Sequence, residues 1–205
     1  MNFASIDMFM DFGDWDFQIG RPVANEGFLK ALLTYGTYDT YEFFCPDIYH
    51  LEKFTERMAV LIEDQQLLKR IKPSLQIALS ESIKDEEYDV FHLGDFTYFM
   101  PYLVDMRNRY SRSPFPITGI THSLDAIYMN LRYLQLSIAG LQPYDGIICT
   151  SKCAEKTVRN GNTHIPVSSV KCFIMVGMID YTSYHNMKFH ILLSYILIYL
   201  SIRKY

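Results

Sequence analysis

The 205-residue chain lacks an excess of positive charge, any Cys-x-x-Cys pair and any repeated or low-complexity tract. Nineteen Lys and Arg against 23 Asp and Glu give a formal net charge of −4. That balance argues against a general nucleic-acid binder, whose usual footprint is a basic face. The four cysteines (Cys45, Cys149, Cys153 and Cys172) have no zinc-ligand spacing. Cys149 and Cys172 fall inside apolar runs, where Cys behaves as a small buried hydrophobe. A reduced, cytoplasmic setting is the expectation. No cluster of His, Asp, Glu or Cys is spaced for a metal, so none is expected. No secretory signal is expected at the start, because Asp7, Asp11, Asp14 and Asp16 interrupt the early apolar stretch.

What the chain does have is apolar material: 49% of residues are hydrophobic and 20% charged, which suffices for a core and excludes a disordered chain. Three short apolar segments each end in a small polar cluster. They read Tyr88-Asp-Val-Phe-His-Leu-Gly-Asp95, Pro116-Ile-Thr-Gly-Ile-Thr-His-Ser123 and Tyr144-Asp-Gly-Ile-Ile-Cys-Thr-Ser151. Short β-branched or aromatic runs bounded by Gly, Pro or Asp suit buried parallel strands. The segments between them are long enough for crossover helices. The expected fold class is α/β, a Rossmann-like and mostly parallel sheet of six or seven strands with helices on both faces. Ligands of such sheets sit at the carboxyl ends of the strands. His92, Asp95, Thr121, His122, Ser123, Thr150 and Ser151 fall there.

The remaining elements are read from local pattern. Phe3 to Met10 makes a first strand, followed by a loop from Asp11 to Asn25. Glu26 to Tyr35 is a helix with Phe28, Leu29, Leu32 and Leu33 on one stripe and Gly36 as its stop. Tyr41 to Phe44 is a strand. Residues 48 to 85 read as mostly helical, broken at Pro73. Further helices cover Pro101 to Tyr110, Ala126 to Gly140 and Lys152 to Arg159, and Val170 to Val176 is a last strand. The Arg107-Asn-Arg-Tyr-Ser-Arg112 run reads as a solvated helix end. Thr150 and Ser151 read as helix caps.

These strand-end motifs, in this order, resemble the N-terminal, acceptor-side half of GT-B glycosyltransferases of the family-4 kind. The resemblance covers residues 1 to 180 and extends to Val176-Gly-Met-Ile-Asp180, similar to the family's entry into its interdomain linker. It implies a domain that helps move a sugar from a nucleotide-sugar donor, used as substrate, to an unidentified acceptor, with no other cofactor. Carried over, the family's site histidine matches His122, the catalytic candidate; His92, Asp95 and Ser123, at the same strand ends, are the acceptor-binding candidates. The first βα loop matches Gly20, Arg21, Asn25 and Gly27 as a donor-phosphate loop, where backbone N–H groups would face phosphate. This chain has Arg21-Pro-Val-Ala-Asn-Glu26 where tandem glycines are common. The plainer alternatives are that Asp95 caps a helix, that Ser123 does the same beside His122, and that Arg21 is a solvated loop residue.

The family's donor-binding half, with its paired glutamates, is not among these residues, so the resemblance implies that this chain alone does not turn over. An uncovered interdomain face would favour self-association. Residues 181–205 stand apart. Phe189 to Ile202 is almost wholly apolar and ends in Arg203-Lys204-Tyr205. Its 14 residues are short for a span, which needs about 20. It reads as a membrane-contacting anchor, as a buried terminal element, or as sequence translated past a frameshift or truncation. The functional alternative to glycosyl transfer is a non-catalytic Rossmann-like module for a small ligand, tethered to a membrane by this tail.

Overall fold

The computed structural model of the protein describes residues 1–10, 20–124, 128–163 and 171–174. They fall into two compact units, one of Met1–Met8 with Tyr38–Ile174 and one containing Phe9–Thr37. The first holds seven strands: β1 (Asn2–Ser5), β2 (Thr40–Cys45), β3 (Ile71–Leu75), β4 (Val90–Leu93), β5 (Ile117–Ile120), β6 (Gly146–Cys149) and β7 (Lys171–Ile174). All pairings are parallel and the order is β3-β2-β1-β4-β5-β6-β7. The chain therefore winds outward from β1 to β3, returns beside β1 as β4, and winds outward the other way. That is the doubly wound, Rossmann-like arrangement, with its switch point between β1 and β4.

Helix α1 (Gly20–Tyr35) belongs to the second unit; α2 (Ile48–Leu61), α3 (Gln65–Leu68), α4 (Leu79–Asp85), α5 (Phe96–Tyr110), α6 (Met129–Ala139) and α7 (Lys152–Thr163) belong to the first. Side chains alternate between the faces of a strand, so register sorts them. Ala4, Phe44, Phe91, Leu93, Ile117, Ile147 and Cys149 share one core with Ile83 of α4, Phe96, Met100 and Val104 of α5, Leu136 of α6 and Val158 of α7. Phe3, Tyr41 and Phe43 face the other way, and Phe43 meets Phe54 of α2 with ring centroids 5.0 Å apart. Both faces of the sheet are thus covered by helices, as the continuous apolar runs of its strands require. Within the second unit, the Phe9 ring lies 4.8 Å from that of Phe28 on α1, and the Gly36 N–H closes on the Leu32 carbonyl at 2.8 Å.

Local pattern and structure part company in identifiable places. β1 ends at Ser5 rather than Met10. The stretch from 48 to 85 is not mostly helical: Ile71–Leu75 forms β3, paired with β2 from Tyr41 to Cys45. Pro73 lies inside that strand. It is tolerated because β3 has a neighbour on one side only in the described sheet, and an edge strand can do without one donor. Helix α5 begins at Phe96, five residues before the expected start, and keeps Pro101 in its body. Its cap is Asp95, and the burial of Phe96, Met100, Leu103 and Val104 outweighs the one backbone bond that Pro101 removes. Helix α6 ends as read, at Gly140 with φ +76°, and Asn108 Nδ2 donates to the Gly140 and Ala139 carbonyls at 2.8 and 3.1 Å.

Candidate functional site

The carboxyl ends of β1, β4 and β5 meet at the switch point, and two hydrogen bonds tie them. The Gly94 N–H, just past β4, donates to Asp7 Oδ2 at 2.7 Å. The Gly94 carbonyl accepts from His122 Nε2 at 2.7 Å. Asp7 is itself placed by its own N–H donating to Ser5 Oγ at 2.9 Å, with Ser5 fully buried. One residue, Gly94, thus links the loop after β1 to the segment after β5. Because a carbonyl can only accept, Nε2 of His122 carries a hydrogen, which sets the tautomer of the neutral ring. His122 is half-buried at this edge.

The other expected residues have clear local duties. Asp95 is the N-cap of α5: its Oδ1 accepts from the Thr97 N–H at 2.8 Å and the Thr97 hydroxyl at 2.6 Å. Such a cap stabilises a helix by about 1 kcal/mol. His92 is buried on the face opposite α5, with Nδ1 2.8 Å from Thr118 Oγ1. Burial holds its pKa down at about 3, so the ring is neutral at ordinary pH. Ser123 is exposed and does not cap α6, whose preceding residue is Tyr128. Ser151 Oγ accepts from the Ala154 N–H at 3.0 Å, the expected cap of α7. Thr150 instead joins Thr121: its N–H donates to Thr121 Oγ1 at 3.0 Å, tying the ends of β5 and β6 together.

Asn25 and Gly27 stand within α1 rather than in a loop before it, since the helix starts at Gly20 and includes Arg21. These four residues belong to the other compact unit. The structure therefore brings together His122, Asp95 and the Gly94 peptide within one unit.

Local pattern misses three features: two at this edge, and one at the opposite edge, where β5 and β6 begin. Asp7, read only as an interruption of the first strand, anchors Gly94. Arg107, read as solvated, is buried at 2% exposure against the fully buried Asp145. Arg107 Nη2 donates to Asp145 Oδ2 at 2.8 Å, Nη1 reaches both Asp145 Oδ1 and the Phe115 carbonyl, and the Ile117 and Gln142 N–H groups complete the carboxylate at 2.8 Å each. An Asp directly before a buried strand was the available signal. The third is an exposed pair, Tyr98 on α5 and Tyr128 before α6, whose hydroxyls lie 2.7 Å apart.

Among the described residues no group of three or more His, Cys, Asp or Glu is arranged to hold a metal, and no helix is long and apolar enough to cross a membrane. Residues 125–127, 164–170 and 175–205 lie outside the described residues, and with them the 176–180 motif and the apolar tail. Comparison of the chain with protein-family models, curated proteins and solved structures finds no match in any of the three.

Proposed function

We propose that this chain is a small-ligand-binding Rossmann-like domain, the acceptor-side half of a glycosyltransferase, which meets a nucleotide-sugar and its acceptor at the carboxyl ends of β1, β4 and β5 and does not turn over alone. The observation that carries the reading is the Asp7–Gly94–His122 link at the switch point. Open α/β sheets bind ligands at that position in the fold. A histidine with its tautomer set by a backbone carbonyl is a fixed hydrogen-bonding group there rather than a rotating one. The order of the strand-end motifs adds the family-level expectation of sugar transfer. In this reading His122 lies beside the transferred sugar and Asp95 shapes the acceptor side by holding α5, while Gly20, Arg21, Asn25 and Gly27 are donor-phosphate candidates of their own unit.

A titration of the purified chain with UDP-glucose, GDP-mannose and UDP-N-acetylglucosamine, followed by calorimetry, tests it. Binding of one of these, weakened about tenfold in His122→Ala as expected for one lost polar contact, supports the reading. Absence of binding by all three, or a His122→Ala protein that binds as well as the parent, defeats it. A second reading, a binding module without chemistry, is favoured by the structural employment of Asp95 and Ser151 as helix caps. Neither reading expects this chain to release UDP or GDP by itself; a nucleotide-sugar bound through His122 favours the acceptor-side half, and a small ligand bound equally by His122→Ala favours the module.

A further inference from the structure

Helices α5 and α6 present an ordered aromatic surface that the strand-end site does not use. Tyr98, in the first turn of α5, is 42% exposed and Tyr128, at the start of α6, is 41% exposed. Solvent-facing tyrosines ordinarily rotate, yet these are held. Their hydroxyls are bonded at 2.7 Å, and their ring centroids lie 6.0 Å apart with planes inclined at 42°. The Arg132 guanidinium lies against both rings, 5.4 Å from the Tyr98 centroid and 6.0 Å from that of Tyr128. Arg132 Nη1 donates to Gln135 Oε1 at 2.8 Å, and Gln135 Nε2 reaches the Tyr102 hydroxyl at 3.4 Å. Arg132 Nε is buried without a hydrogen-bond partner, an unusual expense unless the guanidinium is needed where it is. Holding rings in place before binding removes much of the ordering cost that weakens surface recognition.

From this geometry we infer that Tyr98, Tyr128 and Arg132 form a binding surface for a neutral pyranose ring. The inference goes beyond the proposed nucleotide-sugar site and does not depend on it. Two inclined aromatic faces suit the C–H face of a puckered ring, whereas a flat base could stack fully on only one of them. Only one hydroxyl hydrogen is used in the Tyr98–Tyr128 bond, so the pair keeps one O–H to donate and lone pairs to accept, matching a sugar's hydroxyls. An anionic ligand fits less well, because Arg132 is engaged by Gln135 at Nη1 and lies against the two rings.

Saturation-transfer NMR and chemical-shift titration of the whole chain with methyl glucoside, galactoside and mannoside at millimolar concentration provide the test, with AMP and inorganic phosphate as comparisons. The expected result is saturation of the ring C–H protons of at least one pyranoside, lost in Tyr98→Ala and Tyr128→Ala. Loss of one stacking face should weaken binding about tenfold. Tyr98→Phe, which keeps the ring and the fold, should retain the C–H contact and lose only part of the affinity. No transfer to any pyranoside overturns the inference, as does equal transfer in Tyr98→Ala or tighter binding of AMP or phosphate. Because UDP-glucose binding is measured separately with His122→Ala, failure of one site leaves the other's result intact.

Discussion

Gly119 lies where β5 passes beneath the first residue of α5, and no larger residue fits. A Cβ built there would stand 2.6 Å from Phe96 Cβ and 2.9 Å from Phe96 Cα. The obstacle is a helix backbone and the root of its side chain, neither of which can swing aside. Gly119→Ala should therefore destabilise the protein by about 1–3 kcal/mol, the usual penalty of overpacking, read as a lower urea midpoint with an unchanged slope. His92 carries the second residue-scale prediction. Its folded pKa, depressed by burial to about 3, lies below the ordinary 6.5 of an exposed imidazole. Between those values the unfolded chain binds a proton that the folded protein refuses. Stability is then present above about pH 6.5 and falls as the pH drops toward 3, by on the order of 1 kcal/mol per unit. His92→Gln should flatten this acid limb in melting curves recorded across that range, and an unchanged limb would exclude His92 as its source.

Between elements, the largest commitment is the Arg107–Asp145 pair, which joins α5 to the residue entering β6 and to the start of β5. Two charges removed from water gain little as a pair over apolar residues of the same size, but either one left alone is costly. Asp145 also accepts the Ile117 and Gln142 N–H groups, so its loss would strand two backbone donors. Arg107→Leu should cost about 3–5 kcal/mol in chemical denaturation, and the double variant Arg107→Leu, Asp145→Asn less than the sum of the singles. Simple additivity would show that the two groups do not act as a unit. Neither partner announces itself locally: Arg107 sits in a run of arginines that looks solvated, and Asp145 is 38 residues away.

For the described sheet, position in the strand order sets expected stability. β1 and β4 are paired on both sides at its middle, while β3 has one neighbour and contains a proline. Amide hydrogen exchange should find the slowest protons in β1, β4 and β5 and markedly faster ones in β3, since edge pairing opens without disturbing the centre. Uniform protection across all seven strands would contradict that ranking.

The alternation of strand and helix, and the places of β4, β5 and β6, were legible in the chain itself, because strands buried on both faces must be short unbroken apolar runs ended by small polar residues. The same logic located the histidine after β5 and the cap of α7. Tertiary structure alone decided the rest. It made a strand of a proline-containing segment by placing it at an edge, and began α5 early by burying its first turn. It drew Arg107 inside against a carboxylate distant in sequence, used Asp7 to hold Gly94, and paired Tyr98 with Tyr128. Each depends on a partner far along the chain, and local preference carries no information about which distant group will arrive.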